Sequence, residues 1–435
     1  MQSSSTWTIK VPYGSNELAV SLPSEWLGEL VSPGQLPYPK NIAEIVRDAL
    51  ENPIGSLNLD LIAKTGQKVA ILVDDHTRKT PVQHILPQLL GRLHSAGIKE
   101  ADIAIVIALG SHRRMTSEEI KAKLGAQIAD QYRISNTPVS SRGGRVHVGN
   151  FGSTPAWIDR IVAEADLRIG LGMITPHMDT GYSGGAKIIL PGVCSDRTVD
   201  AFHVRSVDLP GNPLGDITAP LRLELERFVA DHVPLDFIIN VITSPNGEIY
   251  HCVAGHPVAA HRSGAAYARQ AFGVKVKRRY PIVVAACYPY EQDLWQSMKG
   301  LWCGELLTAD EGTLILLTRA IEHHGGYSDL PACISRDPEE LRQSLAAGNA
   351  APLKEAATGI MVGRMKLRIH IALVSSGLTT NDASMMGMDY YDTVDAAIDT
   401  AVNHLPRSDR RGSVGILSHA GILLPLLPDS SALLL

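Results

Sequence analysis

Short apolar runs rich in β-branched residues alternate along the chain with longer amphipathic stretches. The apolar runs predict strands at Val69–Val73, Ile103–Ala108, Leu167–Ile174, Phe237–Ile242, Ile282–Ala286, Leu314–Leu317 and Ile369–Val374. The intervening stretches predict helices at Val82–Ser95, Ser117–Leu124, Val258–Gln270 and Thr393–His404. Strands that alternate with helices are typical of parallel sheets, and uninterrupted apolar strands indicate sheets covered on both faces. The pattern therefore predicts an α/β fold.

A chain of 435 residues is long enough for two separate cores. We place the boundary near Gly273–Arg279, where a basic stretch precedes a new strand. This division gives an N-terminal cofactor-binding domain (1–273) and a C-terminal domain (274–435), each a largely parallel sheet flanked by helices. The tail Val414–Leu435 should form a strand, after which its end either packs back on the first domain or frays. Ligands of such sheets bind beyond the carboxyl ends of the strands, so we expect an active site in the interdomain cleft.

Charge and cysteine content narrow the functional classes. The 40 basic and 45 acidic residues give a net charge of -5, which disfavours a nucleic-acid partner. Five scattered cysteines do not form a disulfide framework, and the N-terminus lacks the pattern of a signal peptide, so we expect a cytoplasmic protein. Two prolines and Asp429 interrupt the apolar tail, which therefore predicts no membrane span.

Two polar motifs directly follow predicted strands. The first, Asp74-Asp75-His76-Thr77-Arg78, ends in an arginine whose planar fork suits a carboxylate or a phosphate. Its alternative interpretation is a helix cap with a surface ion pair. The second, Gly110-Ser111-His112-Arg113, presents a histidine that is either a general acid/base or a structural residue.

A third motif runs from His177 to Lys187 and is rich in glycine. Gly181, Gly184 and Gly185 allow backbone N–H groups to approach an anion, so we predict that Ser183, Gly184 and Gly185 contact a cofactor phosphate. The spacing matches neither the P-loop nor the dinucleotide-binding pattern. Lys187 is then a phosphate-binding charge, a Schiff-base lysine or the attachment point of an unusual cofactor. His203, further along the chain, is a metal ligand or a helix-surface histidine.

A fourth motif, Asp293-Leu294-Trp295-Gln296-Ser297-Met298-Lys299, follows the first strand of the second predicted domain. Gln296 and Lys299 are three residues apart and would share one face of a helix. An amide beside an ammonium group could hold a hydroxy-carboxylate from the opposite domain. The alternative is a solvated helix face.

In combination and in this order, the four motifs resemble those of the lactate racemase family, whose members are nickel-dependent 2-hydroxy-acid racemases and epimerases. The resemblance extends from about Val69 to Leu301. It rests on the Asp-x-Thr-Arg, Gly-Ser-His-Arg and His-x-x-x-Gly-Tyr-Ser-Gly-Gly-x-Lys patterns, with His203, Gln296 and Lys299 following. It implies an isomerase that inverts C2 of a 2-hydroxy acid by transient hydride transfer.

The resemblance also implies roles for individual residues. Lys187 would carry the nickel-pincer nucleotide (pyridinium-3-thioamide-5-thiocarboxylic acid mononucleotide) with Ni(II), and His203 would be the protein ligand of the nickel. His112 and His177 would be the two acid/base residues. The remaining positions are implied to contact the cofactor, the substrate or both: Asp75, His76, Thr77, Arg78, Trp295, Gln296 and Lys299. Separate maturation proteins would build the cofactor, and a homo-oligomer is possible on this basis.

The substrate stays open at this point, with lactate, larger aliphatic or aromatic 2-hydroxy acids, malate and sugar acids as candidates. Trp295 stands where some family members have tyrosine. Asp179, next to His177, would disfavour a second substrate carboxylate if it points inward, whereas a hydroxylated substrate could use it.

Three other classes compete with this interpretation. A zinc hydrolase would use the histidines with Asp74 and Asp75, although no His-Glu-x-x-His or Cys-x-x-Cys spacing is present. A pyridoxal-phosphate enzyme would use Lys187. A catalytically silent small-ligand binding protein would keep only the fold, and it would not need both acid/base histidines, the lysine and His203 together.

Overall fold

The computed structural model describes residues 5–34, 36, 41–137, 144–209, 211–245, 247–349 and 352–428. Within these ranges no helix combines the length and apolar character needed to cross a lipid bilayer. Two six-stranded sheets, each covered by helices, account for most of the chain. The predicted α/β class with two largely parallel sheets is confirmed.

The strands are β1 (Thr6–Tyr13), β2 (Asn16–Pro23), β3 (Leu27–Val31), β4 (Val69–Asp74), β5 (Ile103–Ala108), β6 (Arg133–Ser135), β7 (Arg145–Phe151), β8 (Thr154–Asp159), β9 (Leu167–Met173), β10 (Pro176–His177), β11 (Gly181–Tyr182), β12 (Phe237–Thr243), β13 (Ile249–Gly255), β14 (Gly273–Lys275), β15 (Tyr280–Ala286), β16 (Thr308–Thr318), β17 (His370–Ser375), β18 (Asp389–Tyr390), β19 (Val414–Leu417) and β20 (Leu424–Leu426).

The helices are α1 (Ile42–Glu51), α2 (Leu59–Ile62), α3 (Val82–Ser95), α4 (Ser117–Leu124), α5 (Ala126–Gln131), α6 (Arg160–Ala163), α7 (Asp196–Val207), α8 (Pro220–His232), α9 (Ala259–Phe272), α10 (Leu294–Leu307), α11 (Leu330–Ser335), α12 (Pro338–Ala346), α13 (Leu353–Lys366), α14 (Thr380–Met386) and α15 (Val394–His404). Short 3₁₀ helices cover Glu100–Asp102, Gly185–Ile188 and Arg407–Asp409.

The first sheet has the strand order β13-β12-β9-β4-β5-β6, and every pair is parallel except the antiparallel pair of β12 with β13. Strands β4, β5 and β9 are almost wholly apolar and buried, as expected for a sheet with helices on both faces. In register, Asp74 lies opposite Ala108, and Val73 lies opposite Leu171. The loops after these three strands therefore start side by side at one edge of the sheet.

The second sheet has the order β18-β17-β16-β15-β19-β3 and is parallel throughout. Strand β15 ends at Ala286 in the centre of the sheet, and the following loop leads into α10. Asp293 caps α10, because its carboxylate accepts a hydrogen bond of 2.7 Å from the backbone N–H of Gln296. This cap fixes the direction in which the first turn of α10 presents its side chains.

The N-terminal strands lie with the second sheet. Strand β3 pairs in parallel with β19, and the β1–β2 hairpin packs its apolar face, including Val11 and Val20, against β15 and α15. At the other end of the chain, β20 pairs with β14, and Leu424 packs in the core of the first sheet. The expected division at residue 273 therefore differs from the arrangement in space, because residues 6–31 belong with the C-terminal half. A five-residue strand that contains Gly28 and Glu29 gave no pattern from which this pairing could be predicted.

We predict that Val31→Ala lowers the free energy of unfolding by about 2 kcal/mol, because Val31 is fully buried at the junction of β3 with β19. Leu30→Ala on the same strand is the matched control, since Leu30 is largely exposed, and should change the free energy by less than about 0.5 kcal/mol. Urea unfolding of both variants measures the difference. Equal effects would contradict the placement of β3.

Candidate active site

One pocket collects the loops that follow β4, β5 and β9, together with α7 and the start of α10. Except for His76 and Thr77, every residue predicted from the sequence to belong to the site lines this pocket. His76 and Thr77 line an adjoining cavity instead. The pocket thus draws residues from both halves of the chain, and Gln296 Nε2 of α10 lies 3.5 Å from His112 Nε2.

Asp75 and His112 form a hydrogen-bonded pair beyond the carboxyl ends of β4 and β5. The Asp75 carboxylate accepts from Thr77 Oγ1 at 2.6 Å, and its other oxygen lies 2.5 Å from His112 Nδ1. Burial by itself would raise the pKa of Asp75, but the attraction and hydrogen bond of His112 outweigh it and hold that pKa well below its usual range. An ionised Asp75 keeps the proton of His112 on Nδ1, so the lone pair of His112 is on Nε2.

In His177 the two ring nitrogens have the opposite roles from those in His112. It lies in β10, which pairs with β11 in a short hairpin, and the backbone N–H of Asp179 donates to its Nδ1 at 3.1 Å. Burial and the nearby cations Lys187 and Arg78 lower the pKa of His177 well below its usual value. The imidazole is therefore neutral, and its proton is on Nε2. His112 is arranged to accept a proton and His177 to donate a hydrogen bond.

The turn of this hairpin requires a glycine at position 181. Gly181 has a φ of +71°, and a Cβ atom there would lie 1.7 Å from the carbonyl oxygen of Asp216. No side chain fits that space, and the left-handed backbone favours glycine as well. The glycine in the sequence motif thus serves the close approach of two backbone segments.

Lys187 follows on a 3₁₀ turn at the other end of the motif, with its Nζ 4.6 Å from the centroid of the Phe202 ring. Burial lowers the pKa of Lys187 to about 7, against the opposing effect of the Asp179 carboxylate. A large fraction of this amine is therefore uncharged at pH 7. A neutral lysine amine is a nucleophile, whereas an ordinary ammonium group is not.

Arg222 holds the loop between His177 and Lys187 from behind, and sequence reasoning missed it. Its fully buried guanidinium donates to the carbonyl oxygens of Thr180, Tyr182 and Gly184. It lies 3.8 Å from Glu226 on the next turn of α8. An arginine in the first turn of a helix gives no signal in the sequence that it is buried.

Asn240 is a second missed residue, and here a signal was available, since it interrupts the apolar strand β12. Its Oδ1 accepts from the backbone N–H of Gly185 at 2.8 Å. The Ser183 hydroxyl donates to the carbonyl of Met173 and accepts from Thr175 N–H, both at 2.9 Å. The polar groups of Ser183 and Gly185 thus already have protein partners, which hold the loop, and their predicted contact with a phosphate stays a prediction.

His203 lies on α7, and its side chain is half-buried. Its Nδ1 donates to the carbonyl oxygen of Val199, one turn earlier, at 2.8 Å. Burial lowers the pKa of His203 to about 3, so the ring is neutral with its lone pair on Nε2. A neutral imidazole whose other nitrogen donates to a carbonyl is the form in which histidine binds metals.

His203 would be the lone protein ligand at this point. Within the ranges that the structure describes, no group of three or more histidine, cysteine, aspartate or glutamate side chains could hold a metal ion. A zinc hydrolase of the kind considered above needs three such ligands. A metal bound by His203 would need its other donors from a bound group.

The first turns of α10 complete the pocket. Lys299 Nζ donates to Gln296 Oε1 at 2.6 Å, so the two side chains share one helix face, and the ammonium lies 3.4 Å from the centroid of the Tyr290 ring. Burial and Arg78 lower the pKa of Lys299. Trp295 stacks on Tyr327 at 4.1 Å and touches the edge of the His203 ring.

Comparisons with known proteins agree with this architecture. The family model described as the lactate racemase N-terminal domain matches residues 13–215, and the model of the lactate racemase C-terminal domain matches residues 276–416. The lactate racemase of Thermoanaerobacterium thermosaccharolyticum is 30% identical over 381 residues, which cover 84% of this chain and 88% of that protein. The lactate racemase of Lactiplantibacillus plantarum is 30% identical over 401 residues, or 90% of this chain and 94% of that one.

Solved structures give the same result. The lactate racemase apoprotein of T. thermosaccharolyticum superposes with a TM-score of 0.86 at 27% identity, over 97% of this chain and all of that one. A Thermotoga maritima protein matches with a TM-score of 0.68 at 18% identity, over 91% of this chain and all of that one, which shows the shared fold alone.

Fold and relatives together define an isomerase of the racemase type. The chain belongs to the lactate racemase family.

We predict that Arg222→Met destabilises the protein by about 3 kcal/mol or more, because three buried carbonyl oxygens lose their charged donor and Glu226 loses a charged neighbour. Arg205→Met is the matched control, since its ion pair with Glu224 lies at the surface, with the arginine side chain 45% exposed, and should contribute less than about 1 kcal/mol. Denaturant unfolding measures both. Similar losses for the two variants would show that Arg222 does not have this role.

Proposed function

We propose that this protein inverts C2 of a 2-hydroxy acid with the help of a nickel-pincer nucleotide attached to Lys187. The observation that carries the proposal is the convergence of His112, His177, Lys187 and His203 on one pocket of the lactate racemase fold. Two relatives that match most of the chain are named lactate racemases. The pocket lies between loops of both sheets, so we also propose that substrate binds in the cleft between them.

The residues present fit such a cofactor. Lys187 offers an amine whose lowered pKa of about 7 leaves a substantial neutral fraction at pH 7, as formation of an amide-type bond requires. His203 offers one imidazole nitrogen with a free lone pair, and nickel accepts imidazole together with sulfur donors. When bound, the group supplies a reversible hydride acceptor for C2, which a simple acid/base site lacks.

The chain itself handles the proton of the substrate hydroxyl. His112 Nε2 accepts it, and Asp75 stabilises the imidazolium that results. His177 Nε2–H donates a hydrogen bond to the substrate oxygen from its own position. For the mirror-image substrate, the tautomer of His177 with its proton on Nδ1, toward the Asp179 carboxylate 3.8 Å away, would leave Nε2 free to accept the hydroxyl proton. A racemase needs one such acid/base residue for each enantiomer of the substrate.

Two cations hold the substrate carboxylate in this proposal. Arg78 and Lys299 both line the pocket, and each lowers the pKa of His177. An anion between them would relieve this mutual repulsion and raise the pKa of Lys299 toward its usual value. Held in this way, a planar 2-oxo acid can turn between the histidines without leaving the pocket.

The remaining expectations belong to the same proposal. Lactate, malate, an aromatic 2-hydroxy acid and a sugar acid are the candidate substrates, and separate maturation proteins would supply the cofactor. His76 and Thr77 contact the cofactor or the substrate from the adjoining cavity. The alternative from another class is a silent binding protein, in which the pocket would bind a hydroxy acid without inverting it.

We predict that protein produced together with the maturation machinery carries the nucleotide on the peptide that contains Lys187, and that it inverts C2 of a chiral 2-hydroxy acid with deuterium retained at C2. Lys187→Ala should lose both the mass increment and the activity, while the exposed-site variant Lys64→Ala keeps both. Intact mass and chiral chromatography are the measurements. Full exchange of the C2 deuterium with solvent would contradict hydride transfer.

Asp75→Asn should lower kcat at least about 100-fold, since a neutral amide neither fixes the Nδ1 proton of His112 nor stabilises its imidazolium. His112→Ala should lower it as far or further, with nickel and nucleotide still bound. Asp130→Asn, whose carboxylate forms an exposed ion pair with Lys121, should change nothing. If Asp75→Asn retained full activity, His112 would not be the base.

A further inference from the structure

A second cavity adjoins the pocket and is much larger. It measures about 790 Å³, against about 140 Å³ for the pocket itself. The two share a wall formed by Ser111, His112, Trp295 and Gln296. We call this second cavity the outer chamber and define it by Asp196, Asp200, Asp293, Glu322, Tyr327 and Glu355, which line it. A substrate as small as lactate would leave the outer chamber unused.

The walls of the outer chamber are rich in hydrogen-bond acceptors. Five carboxyl groups line it, and they outnumber the two permanent cations, Arg113 and Lys354. Arg113 is already engaged with Glu119 at 2.7 Å, outside the chamber wall. Lys354 lies 5.5 Å from the centroid of the Tyr327 ring. The chamber therefore offers carboxylate oxygens to a ligand that brings donors.

One acceptor in this wall, Oε2 of Glu355, has no hydrogen-bond donor within the part of the chain that the structure describes. Only 6% of this residue is exposed, and among the described residues its Oε2 has no hydrogen-bond partner. Burial raises the pKa of the Glu355 carboxyl. A buried polar atom without a partner is costly, so a donor that reached Glu355 Oε2 from the chamber would relieve that cost.

The outer chamber is aligned with the pocket by a single helix. Asp196, Asp200 and His203 are spaced i, i+4, i+7 on α7 and lie on one helix face. The seven steps from Asp196 to His203 correspond to about 10 Å along the helix axis. A molecule whose C2 lies beside His203 can therefore extend its remaining carbons past Asp200 toward Asp196.

From this arrangement of the outer chamber we infer that the substrate is an aldonic acid. An aldonic acid is a 2-hydroxy acid whose longer carbon chain carries further hydroxyls, and those hydroxyls donate to the carboxylates of the outer chamber. The inference rests on the proposed function, because it places C2 in the pocket beside His112 and His203. Each hydroxyl of the chain brings one O–H donor, which matches a wall of acceptors.

Other occupants fit the chamber less well. A second carboxylate, as in malate, or the phosphate of a nucleotide would face five carboxyl groups and be repelled. An alkyl or aromatic tail would remove water from the carboxylates of the chamber and would bring neither them nor Glu355 a donor. Hydroxyl groups avoid both costs.

The first experiment compares C2 inversion by the cofactor-loaded protein for four probes: D-gluconate, D-lactate, D-malate and D-3-phenyllactate. We expect kcat/KM for gluconate to exceed that for each of the others by at least about 100-fold, because a site built to bond hydroxyls rejects analogues that lack them. A preference for lactate, malate or phenyllactate would overturn this inference and leave the proposed function intact. Failure to invert any 2-hydroxy acid would overturn both.

The second experiment changes the chamber wall. Glu355→Met removes the unpartnered carboxylate at similar length, and Asp200→Asn replaces a charged acceptor with little change of shape. Each should raise KM for gluconate and lower the gluconate-to-lactate ratio of kcat/KM at least about tenfold. Glu339→Gln, an exposed substitution on α12, is the control and should leave the ratio unchanged. An unchanged ratio in both folded wall variants would refute the role of the outer chamber.

Discussion

The pocket depends on one buried cation behind it. The guanidinium of Arg222 binds three carbonyl oxygens of the loop between His177 and Lys187, so it restrains the middle of the motif that carries the chemistry. A glycine-rich loop has many backbone conformations to lose, and hydrogen bonds to a charged donor are among the stronger ones available to restrain it. Asn240 restrains the same loop from β12. The loop that joins the proposed acid/base residue His177 to Lys187 is thus held by Arg222 and Asn240, which bind its backbone.

Burial of several cations together gives the pocket its electrostatic character. Desolvation lowers the pKa values of His177, Lys187 and Lys299, and Arg78 adds to the effect at each of them. A group that is neutral in this environment regains charge when an anion binds beside it. The pocket is therefore prepared for anionic ligands, whereas the outer chamber has the opposite sign. This difference in charge between the pocket and the outer chamber explains how one end of a molecule could be selected for its negative charge and the other end for its hydroxyls.

The sequence predicted four strands of the first sheet and the convergence of the loops that follow three of them. Apolar runs located β4, β5, β9 and β12 to within a residue or two, and parallel strands necessarily bring the loops that follow them to one edge. The convergence of the first three motifs could therefore be predicted from their position after strands. The helix spacing of Gln296 and Lys299 likewise gave their shared face.

Other features depend on tertiary contacts that no local pattern records. Arg222 occupies an ordinary helix position, and only the packing of α8 against the loop makes it a buried donor. The tautomers of His112 and His177 follow from partners 37 and 2 residues away, respectively, so only the folded chain defines them. The outer chamber is formed by α7, α13 and the segment around Tyr327, which are adjacent in space alone.

The placement of β3 has a consequence for biosynthesis. The carbonyl of Val31 accepts a hydrogen bond from Ser418, which lies 387 residues later in the chain. Strand β3 is translated before every strand of the first sheet, yet β19, the edge on which it docks, is translated after all of them. During elongation the first sheet can form around its own core, whereas the second sheet must wait until β19 has been made. Strand β3 therefore stays without its partner while the whole first sheet is synthesised, and the second sheet closes after the first.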